Sequence, residues 1–408
     1  MTHGIEWLNV YGGVAAIRAK AIFDGRGLDT ERFGNVMMDA RSVALPFEDP
    51  VTNAANAARP ILDRTGTDRI ELLITATESG LDHSKSVASH VHRALGLPAS
   101  CRMLEVKQAC YGATAALHLA IGHLAARADP EARALVIATD VAVVGAEGAY
   151  AEPATGSGAV AMLVGPDGGV LAVDPGAYGL HSFETLDSAR PHPDRDLVDV
   201  DQSLVAYLSC ATASFADYRN RVAGADLETT FDHLVWHTPF AGMAKAAHRA
   251  LMRDQARAST AAIEADFARR VEASLRYPGL IGNLFSGSVY AALASLVDTA
   301  RPAREARVGI FSYGSGCASE FFSGLIGPRS AARLAELRIG DQLDARVDLD
   351  FDQYLALLPA ARSCLVPQKD KDIDVEGHLG LARAAAAGRP LLALTGVRDY
   401  RRTYEWIN

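Results

Sequence analysis

In residues 105–117 a segment able to lie in a strand runs into a single cysteine, Cys110, followed by Tyr111-Gly112-Ala113 and then a run of good helix formers. The small residues permit a tight turn, so strand, turn and helix start would follow one another around the thiol. A sulfur there faces unpaired backbone N–H groups and the positive end of the helix dipole. Such surroundings favour the thiolate and bring a cysteine from about 8.5 down to roughly 3.5–7.5. Cys110 is therefore read as a nucleophile. The competing reading is a buried structural cysteine, since free cysteine is among the most buried residue types.

The rest of the chain bears on that choice. Residues 70–77 are a continuous apolar run, as expected of a buried strand in a parallel sheet, and the run stops at Glu78. Residues 231–236 form a second apolar run, which stops at His237. Gly282-Asn283-Leu284-Phe285-Ser286-Gly287 leads into a helix with the small-residue pattern that follows Cys110. Gly314-Ser315-Gly316 separates two strand-like segments, as Gly156-Ser157-Gly158 does earlier. Strand, helix start, strand and glycine turn thus occur twice, and both copies need one explanation. Two βαβ-type halves packed face to face would bring Glu78, Cys110, His237, Asn283 and the second glycine turn to one central site.

A cysteine nucleophile, a neutral imidazole and an amide suit acyl transfer through a thioester, with backbone N–H groups receiving the oxyanion. The donors expected are the N–H groups of Cys110 and Ser315; an ordinary turn is the alternative for Gly314 and Gly316. A carboxylate ending a buried strand is costly unless it has a task or a partner. Partial burial would raise Glu78 towards a working base. Its task would be to take a proton from the methyl of an acetyl group held on Cys110, with a structural ion pair as the alternative. His237 is read as the donor that protonates a second substrate's carbonyl as a carbon–carbon bond forms, against the alternative of a satisfied core histidine.

Composition excludes several other classes. Apolar residues are 49% and charged residues 22%, the balance of a globular protein, and 408 residues suffice for two average domains or one large one. A net charge of -9 argues against nucleic acid or an anionic membrane as partner. The five cysteines are scattered and lack a C-x-x-C spacing, so neither a disulfide framework nor a zinc or other metal site is expected, and a reducing cytoplasmic setting fits. The first residues lack the pattern of a signal peptide, and no apolar run reaches membrane-spanning length. Neither G-x-S-x-G, nor G-x-G-x-x-G after a strand, nor a phosphate-binding P-loop motif occurs. A short helix is expected over residues 29–38, an amphipathic helix over 51–65, a helix over 84–95 and an edge strand over 346–349. Residues 187–201, rich in Pro and Asp, read as a surface connection, and no chemistry is expected after residue 328.

Ala76-Thr77-Glu78-Ser79, Lys107-Gln108-Ala109-Cys110-Tyr111-Gly112, Trp236-His237-Thr238-Pro239-Phe240, Gly282-Asn283-Leu284-Phe285 and Phe311-Ser312-Tyr313-Gly314-Ser315-Gly316 resemble the 3-hydroxy-3-methylglutaryl synthases. The resemblance runs from Gly4 to about Gly327, with each motif in family order. It implies a thiolase-like α/β fold with internally duplicated βαβαβ halves in a five-layer αβαβα arrangement. The chain would be a single unit over 1–408, with halves at roughly 1–175 and 202–330 and residues 331–408 completing the second. The resemblance also implies a homodimer, a triad of Glu78, Cys110 and His237, and substrate contacts from Asn283, Tyr313, Gly314 and Ser315. An acetyl-cysteine would attack a 3-ketoacyl thioester in aldol fashion, and the enzyme thioester would then be hydrolysed. No cofactor is implied beyond the phosphopantetheine or coenzyme A that carries the substrates.

Within the family, Ser42-Val43-Ala44-Leu45-Pro46-Phe47-Glu48-Asp49-Pro50, Arg190-Pro191 and Gly316-Cys317-Ala318-Ser319-Glu320 look most like the branch that works in polyketide assembly lines. Members of that branch take both acyl groups from acyl carrier proteins and install a β-branch. Isoprenoid relatives usually carry a Tyr before the Gly at 145, where this chain has Val144; Tyr150 is the candidate to compensate in the acyl pocket. Arg32, with Arg26 and Lys20, is the candidate for a phosphopantetheine phosphate or acidic carrier helices, against the alternative of a solvated helix face. A coenzyme A-dependent synthase of the mevalonate pathway, a ketoacyl synthase III-like enzyme that needs no Glu78, and an inactive carrier-binding scaffold are the other readings.

Overall fold

Nine strands form one mixed sheet whose order repeats about its middle. The computed structural model describes residues 3–127, 129–142, 151–386 and 388–408. Val144 and Tyr150 lie outside the described residues. On one side of the sheet Ile70–Ala76 runs parallel to Arg133–Asp140, which pairs antiparallel with Gly158–Gly165, which pairs antiparallel with Gly4–Tyr11. On the other side His233–Trp236 runs parallel to Ala306–Gly314, then antiparallel Ala318–Ile326, then antiparallel Leu171–Ser182. The two sets carry the same directions in the same order, which is the duplication expected from the repeated motifs. They join edge to edge where Gly4 and Ile5 pair with Ala172 and Leu171. Leu171–Ser182 is thus the counterpart of Gly4–Tyr11 and belongs with the second set. The first set has one extra member, Arg102–Val106, parallel to Ile70–Ala76 at the outer edge.

Helices cover the sheet. Gly158–Gly165 is buried along its whole length and Arg133–Asp140 along all but its first residue, as strands covered on both faces must be. Pro50–Thr65 packs on the first set. Its start is fixed by Asp49, whose side chain accepts from the N–H of Val51 and Thr52 at 2.9 and 3.0 Å while Thr52 Oγ1 accepts from the N–H of Asp49. The anticipated apolar stripe is present, but Asn53 and Asn56 are buried too. Asn56 exchanges hydrogen bonds with the main chain of Leu392, tying the helix to the antiparallel hairpin Leu391–Arg398 and Arg401–Ile407. Ser288–Ala300, which leads into Ala306–Gly314 as Gly112–Ala125 leads into Arg133–Asp140, is buried from Ser288 to Val297. Burial of each large apolar side chain there contributes about 1.5–3 kcal/mol.

Smaller elements depart from expectation at their ends. The segment 29–38 is a single 3-10 turn, Thr30–Arg32, followed by the one-turn helix Phe33–Val36, with Asp29 accepting from Glu31 N–H. The helix expected over 84–95 begins at Val87, whose N–H is taken by Glu105 Oε2 at 2.8 Å. Val347–Leu349 is a strand, parallel to Ala15–Arg18. Residues 187–201 are not a plain surface connection: they form the hairpin Ser188–His192 with Arg195–Val198, and Asp187 at its base is fully buried. Among the described residues no helix is long and apolar enough to cross a membrane.

Candidate active site

Parallel neighbours end at the same edge of a sheet, and that rule assembles the site. Ala76 pairs with Val106 and with Ala138, so Glu78, Cys110 and Asp140 all follow from one edge. Cys110 lies between its strand and the helix Gly112–Ala125, in a turn where Tyr111 N–H bonds Gln108 O at 3.0 Å. Ala109, just before it, takes the left-handed conformation at φ 43°, a strained state for a residue with a Cβ. Cys110 Sγ donates to Glu78 Oε1 at 3.2 Å.

That contact reverses one sequence-based expectation. Burial and the adjacent Glu78 carboxylate push the Cys110 thiol well above its usual value, with Arg190 opposing. A helix terminus supplies about 0.3–1 kcal/mol, less than one pKa unit, and loses to desolvation plus a neighbouring negative charge. The sulfur rests as a thiol, hydrogen-bonded to the Glu78 carboxyl group. Glu78 itself is raised by burial, against the Arg190 guanidinium and the Cys110 hydrogen bond, which hold it down.

In the second half, Trp236 pairs with Phe311, so His237 and Gly314 follow from a common edge. His237 is buried; its N–H bonds Phe311 O and its carbonyl accepts from Tyr207 OH at 2.6 Å. The rings of Tyr207 and Tyr313 each stand 6.4 Å from its own. Burial lowers its pKa to about 3, so the imidazole is neutral near pH 7. Its Nδ1 has no partner among the described residues.

The two halves meet at Gly314. A Cβ there would stand 2.5 Å from Tyr111 N and 2.6 Å from Gln108 O, so only glycine allows the turn 314–316 to lie against the Cys110 turn. Asp187 holds this turn from the far side, accepting from Tyr313 OH at 2.9 Å and Gly316 N–H at 3.0 Å. Tyr111 OH reaches Glu320 Oε2 at 2.7 Å, and Thr114 bonds Ser312, so the start of the cysteine helix is pinned to the second half. Asn283 Oδ1 accepts from Phe285 N–H and Ser288 Oγ, which orients its amide and leaves Nδ2 as the group to offer a ligand. Ser315 is half-buried within the turn.

Two charged groups beside Glu78 escaped the sequence reading. Asp140 ends its strand as Glu78 follows its own, and the argument applied to Glu78 would have found it. Its Oδ1 accepts from Glu78 N–H, Thr77 Oγ1 and Ser79 Oγ at 2.8–3.1 Å, and burial beside Glu78 raises it to about 8. Arg190 comes from the hairpin taken for a surface connection; its Nη1 donates to Glu78 O at 2.8 Å. Arg32 lies apart from this cluster, 63% exposed with Asp29 at 3.6 Å. Its segment is seated on the start of the helix Ala241–Ala256, where Gly242 leaves room for Asn35 O. Arg26 is engaged by Glu152, and Lys20 by Asp24 on an exposed face.

A cleft of about 630 Å³ opens over Glu78 and Arg190. Its opposite wall comes from Ser363, Cys364, Leu365, Val366, Leu394 and Val397, in the region where no chemistry was expected. The volume falls in the range typical of small-molecule sites.

A doubled sheet of this order with a thiol and a carboxylate at its strand ends defines a thiolase-like condensing enzyme. Sequence models for the N-terminal and C-terminal parts of hydroxymethylglutaryl-coenzyme A synthase match residues 47–169 and 249–372. The chain is 42% identical, over 99% of both chains, to the polyketide biosynthesis 3-hydroxy-3-methylglutaryl-ACP synthase PksG of Bacillus subtilis strain 168. It is 35% identical to a hydroxymethylglutaryl-CoA synthase of Enterococcus faecalis, over 88% of this chain and 91% of that one. The curacin pathway HMG synthase in complex with holo donor-ACP superposes over 100% of both chains, with TM-score 0.96 and 42% identity. The chain belongs to the hydroxymethylglutaryl-CoA synthase family.

Proposed function

We propose that this chain condenses an acetyl group, carried on Cys110, with a 3-ketoacyl thioester on an acyl carrier protein, giving a 3-hydroxy-3-methylglutaryl-type β-branch in polyketide synthesis. The observation that carries the reading is the Sγ–Oε1 contact between Cys110 and Glu78. A relative named for polyketide biosynthesis and another solved with a donor ACP match over 99% or more of the chain at 42% identity, which favours carrier proteins over coenzyme A as the source of both acyl groups.

The steps follow from the groups present. Cys110 Sγ attacks the acetyl thioester carbonyl as its proton passes to Glu78, and the departing phosphopantetheine thiolate takes that proton back. Glu78 then removes a methyl proton from acetyl-Cys110; a buried, raised carboxylate is a stronger base than one in water. The enolate oxygen is received by backbone N–H groups of the Cys110 and Ser315 turns. The carbanion attacks C3 of the ketoacyl partner, whose oxygen is hydrogen-bonded by His237 and becomes a tertiary alcohol as the proton Glu78 drew from the methyl is returned to it through the imidazole, restoring the carboxylate. A neutral imidazole suits that donor role. Water then cleaves the Cys110 thioester, releasing a carboxylate and restoring the thiol. Asn283 Nδ2 and Tyr313 flank the acyl groups. The protein acts as a homodimer, to which the outer strand Arg102–Val106 offers exposed Met103 and Leu104.

The test is acetyl loading of Cys110 from an acetyl carrier protein beside loading from acetyl-coenzyme A, read by intact mass. Faster loading from the carrier protein is expected; clear preference for coenzyme A would favour a mevalonate-type synthase.

A further inference from the structure

Glu78 has a partner that the reaction scheme leaves idle. Arg190 Nη1 donates to the Glu78 carbonyl at 2.8 Å, its Nε and Nη2 form a fork on the two oxygens of Asp196, and its guanidinium lies 5.6 Å from the ring centre of Phe285, two residues from Asn283. The side chain is 15% exposed and that of Asp196 22%. A fork on a carboxylate holds a guanidinium in one plane as no ammonium could. The same cation faces three acids: Glu78 at the end of its strand, Cys110 in the turn before its helix, and Asp140 at the end of the neighbouring strand. Asp196, on the hairpin itself, opposes it. Asp82, His83, Glu105, Lys107 and Lys371 line the wider cleft.

We propose that Arg190 is a positioning residue for Glu78: it fixes the main chain beneath the base and supplies the positive charge against which the carboxylate ionises to take the acetyl proton. The proposal rests on the function given above. Without that charge, the buried carboxyl groups of Glu78 and Asp140 act on each other unopposed by Arg190, and Glu78 holds its proton to higher pH. Enolisation of acetyl-Cys110, which needs the ionised base, then begins at higher pH. The hairpin Ser188–His192 with Arg195–Val198 thereby becomes part of the site, since it carries both the cation and the group that orients it.

The experiment follows exchange of the acetyl methyl protons for solvent deuterium on acetyl-Cys110, by mass, from about pH 5 to about pH 9. In Arg190→Gln the acid limb of the exchange rate moves up by about one unit, equivalent to about a tenfold slower rate on that limb. Arg190→Lys, which restores the charge but not the fork, brings the limb part of the way back. An Arg190→Gln limb that coincides with wild type, at any absolute rate, overturns the proposal. Should Arg190→Gln fail to fold, Arg190→Lys alone tests the same claim: the limb moves up by less than about one unit, and a limb that stays or falls overturns it. Absence of an acetyl adduct on wild-type Cys110, or exchange that persists in Glu78→Gln, would overturn the functional reading as well. A normal wild-type adduct with an unmoved limb in the variants overturns only the role of Arg190.

Discussion

Cys110 Sγ and Glu78 Oε1 stand 3.2 Å apart, and the contact acts oppositely on the two: the carboxylate strengthens the sulfur's hold on its proton, while the hydrogen bond from the sulfur weakens the carboxyl's. The sulfur therefore rests as a thiol, and in the proposed reaction one carboxyl group serves both the sulfur and, after acetyl transfer, the methyl group attached through it. Replacing Glu78 by Gln separates these tasks. Removing the negative charge lowers the Cys110 thiol, so acetylation persists within about tenfold, while condensation falls by roughly 10²–10⁴ with loss of the base. Intact mass reads the first and product formation the second; undiminished condensation would remove Glu78 from the chemistry.

His237 has a pKa near 3 because it is buried. A group held neutral through the working range contributes no break near the ordinary histidine value of about 6.5. The pH profile of condensation is therefore expected to lack a histidine limb, and His237→Ala to lower condensation by roughly 10²–10⁴ while Cys110 still accepts acetyl. A profile in wild type that titrates near 6.5 and flattens in His237→Ala would contradict this.

Gly314→Ala places a methyl group within 2.6 Å of main-chain atoms on both sides of Ala109 and Cys110. Backbone cannot yield as a flexible side chain does, so the two turns must separate at about 1–3 kcal/mol. A lower melting temperature is expected together with slowed Cys110 acetylation. Wild-type acetylation in this variant would mean that the second glycine turn does not support the nucleophile.

Glu48, buried beneath Tyr11, is raised to about 7 chiefly by burial. A carboxyl whose folded value lies above its unfolded value stabilises the fold fully below about 4.5 and loses that contribution as pH rises to about 7, here by about 3 kcal/mol. Glu48→Gln should flatten the fall in melting temperature across this window. An unchanged slope from calorimetry would contradict the assignment.

The outer strand Arg102–Val106 ends the sheet with Met103 47% and Leu104 39% exposed, an edge that another chain can pair with and cover. Sedimentation is therefore expected to give a dimer for wild type and a monomer for Leu104→Asp. A dimer of unchanged affinity would place the contact elsewhere.

Positions at strand ends were legible because the period of the apolar runs locates them: Glu78 and His237 follow two runs that turned out to be equivalent strands. Cys110 and Gly314 were legible from the small residues that a tight turn requires. Arg190 and Asp187 were not, since nothing in a stretch rich in Pro and Asp distinguishes a hairpin folded over the site from one left in water. The state of the Cys110 thiol was misjudged for a related reason. The helix terminus is a local property, whereas the burial and the carboxylate that outweigh it come from other parts of the chain. The far wall of the cleft, around Leu365 and Val397, likewise follows from where the last hairpin docks against Asn56 and Asp49.

The central claim is that Cys110 carries acetyl into a carbon–carbon bond with a carrier-bound ketoacyl group. Mass analysis of a 3-ketoacyl carrier protein after incubation with the enzyme and an acetyl carrier protein tests it most directly. The account predicts that the ketoacyl carrier gains the mass of one acetic acid, the acetyl unit plus the water that frees it, and that Cys110→Ala abolishes the gain. An unmodified ketoacyl carrier beside fully acetylated Cys110, or a gain that survives Cys110→Ala, would contradict it.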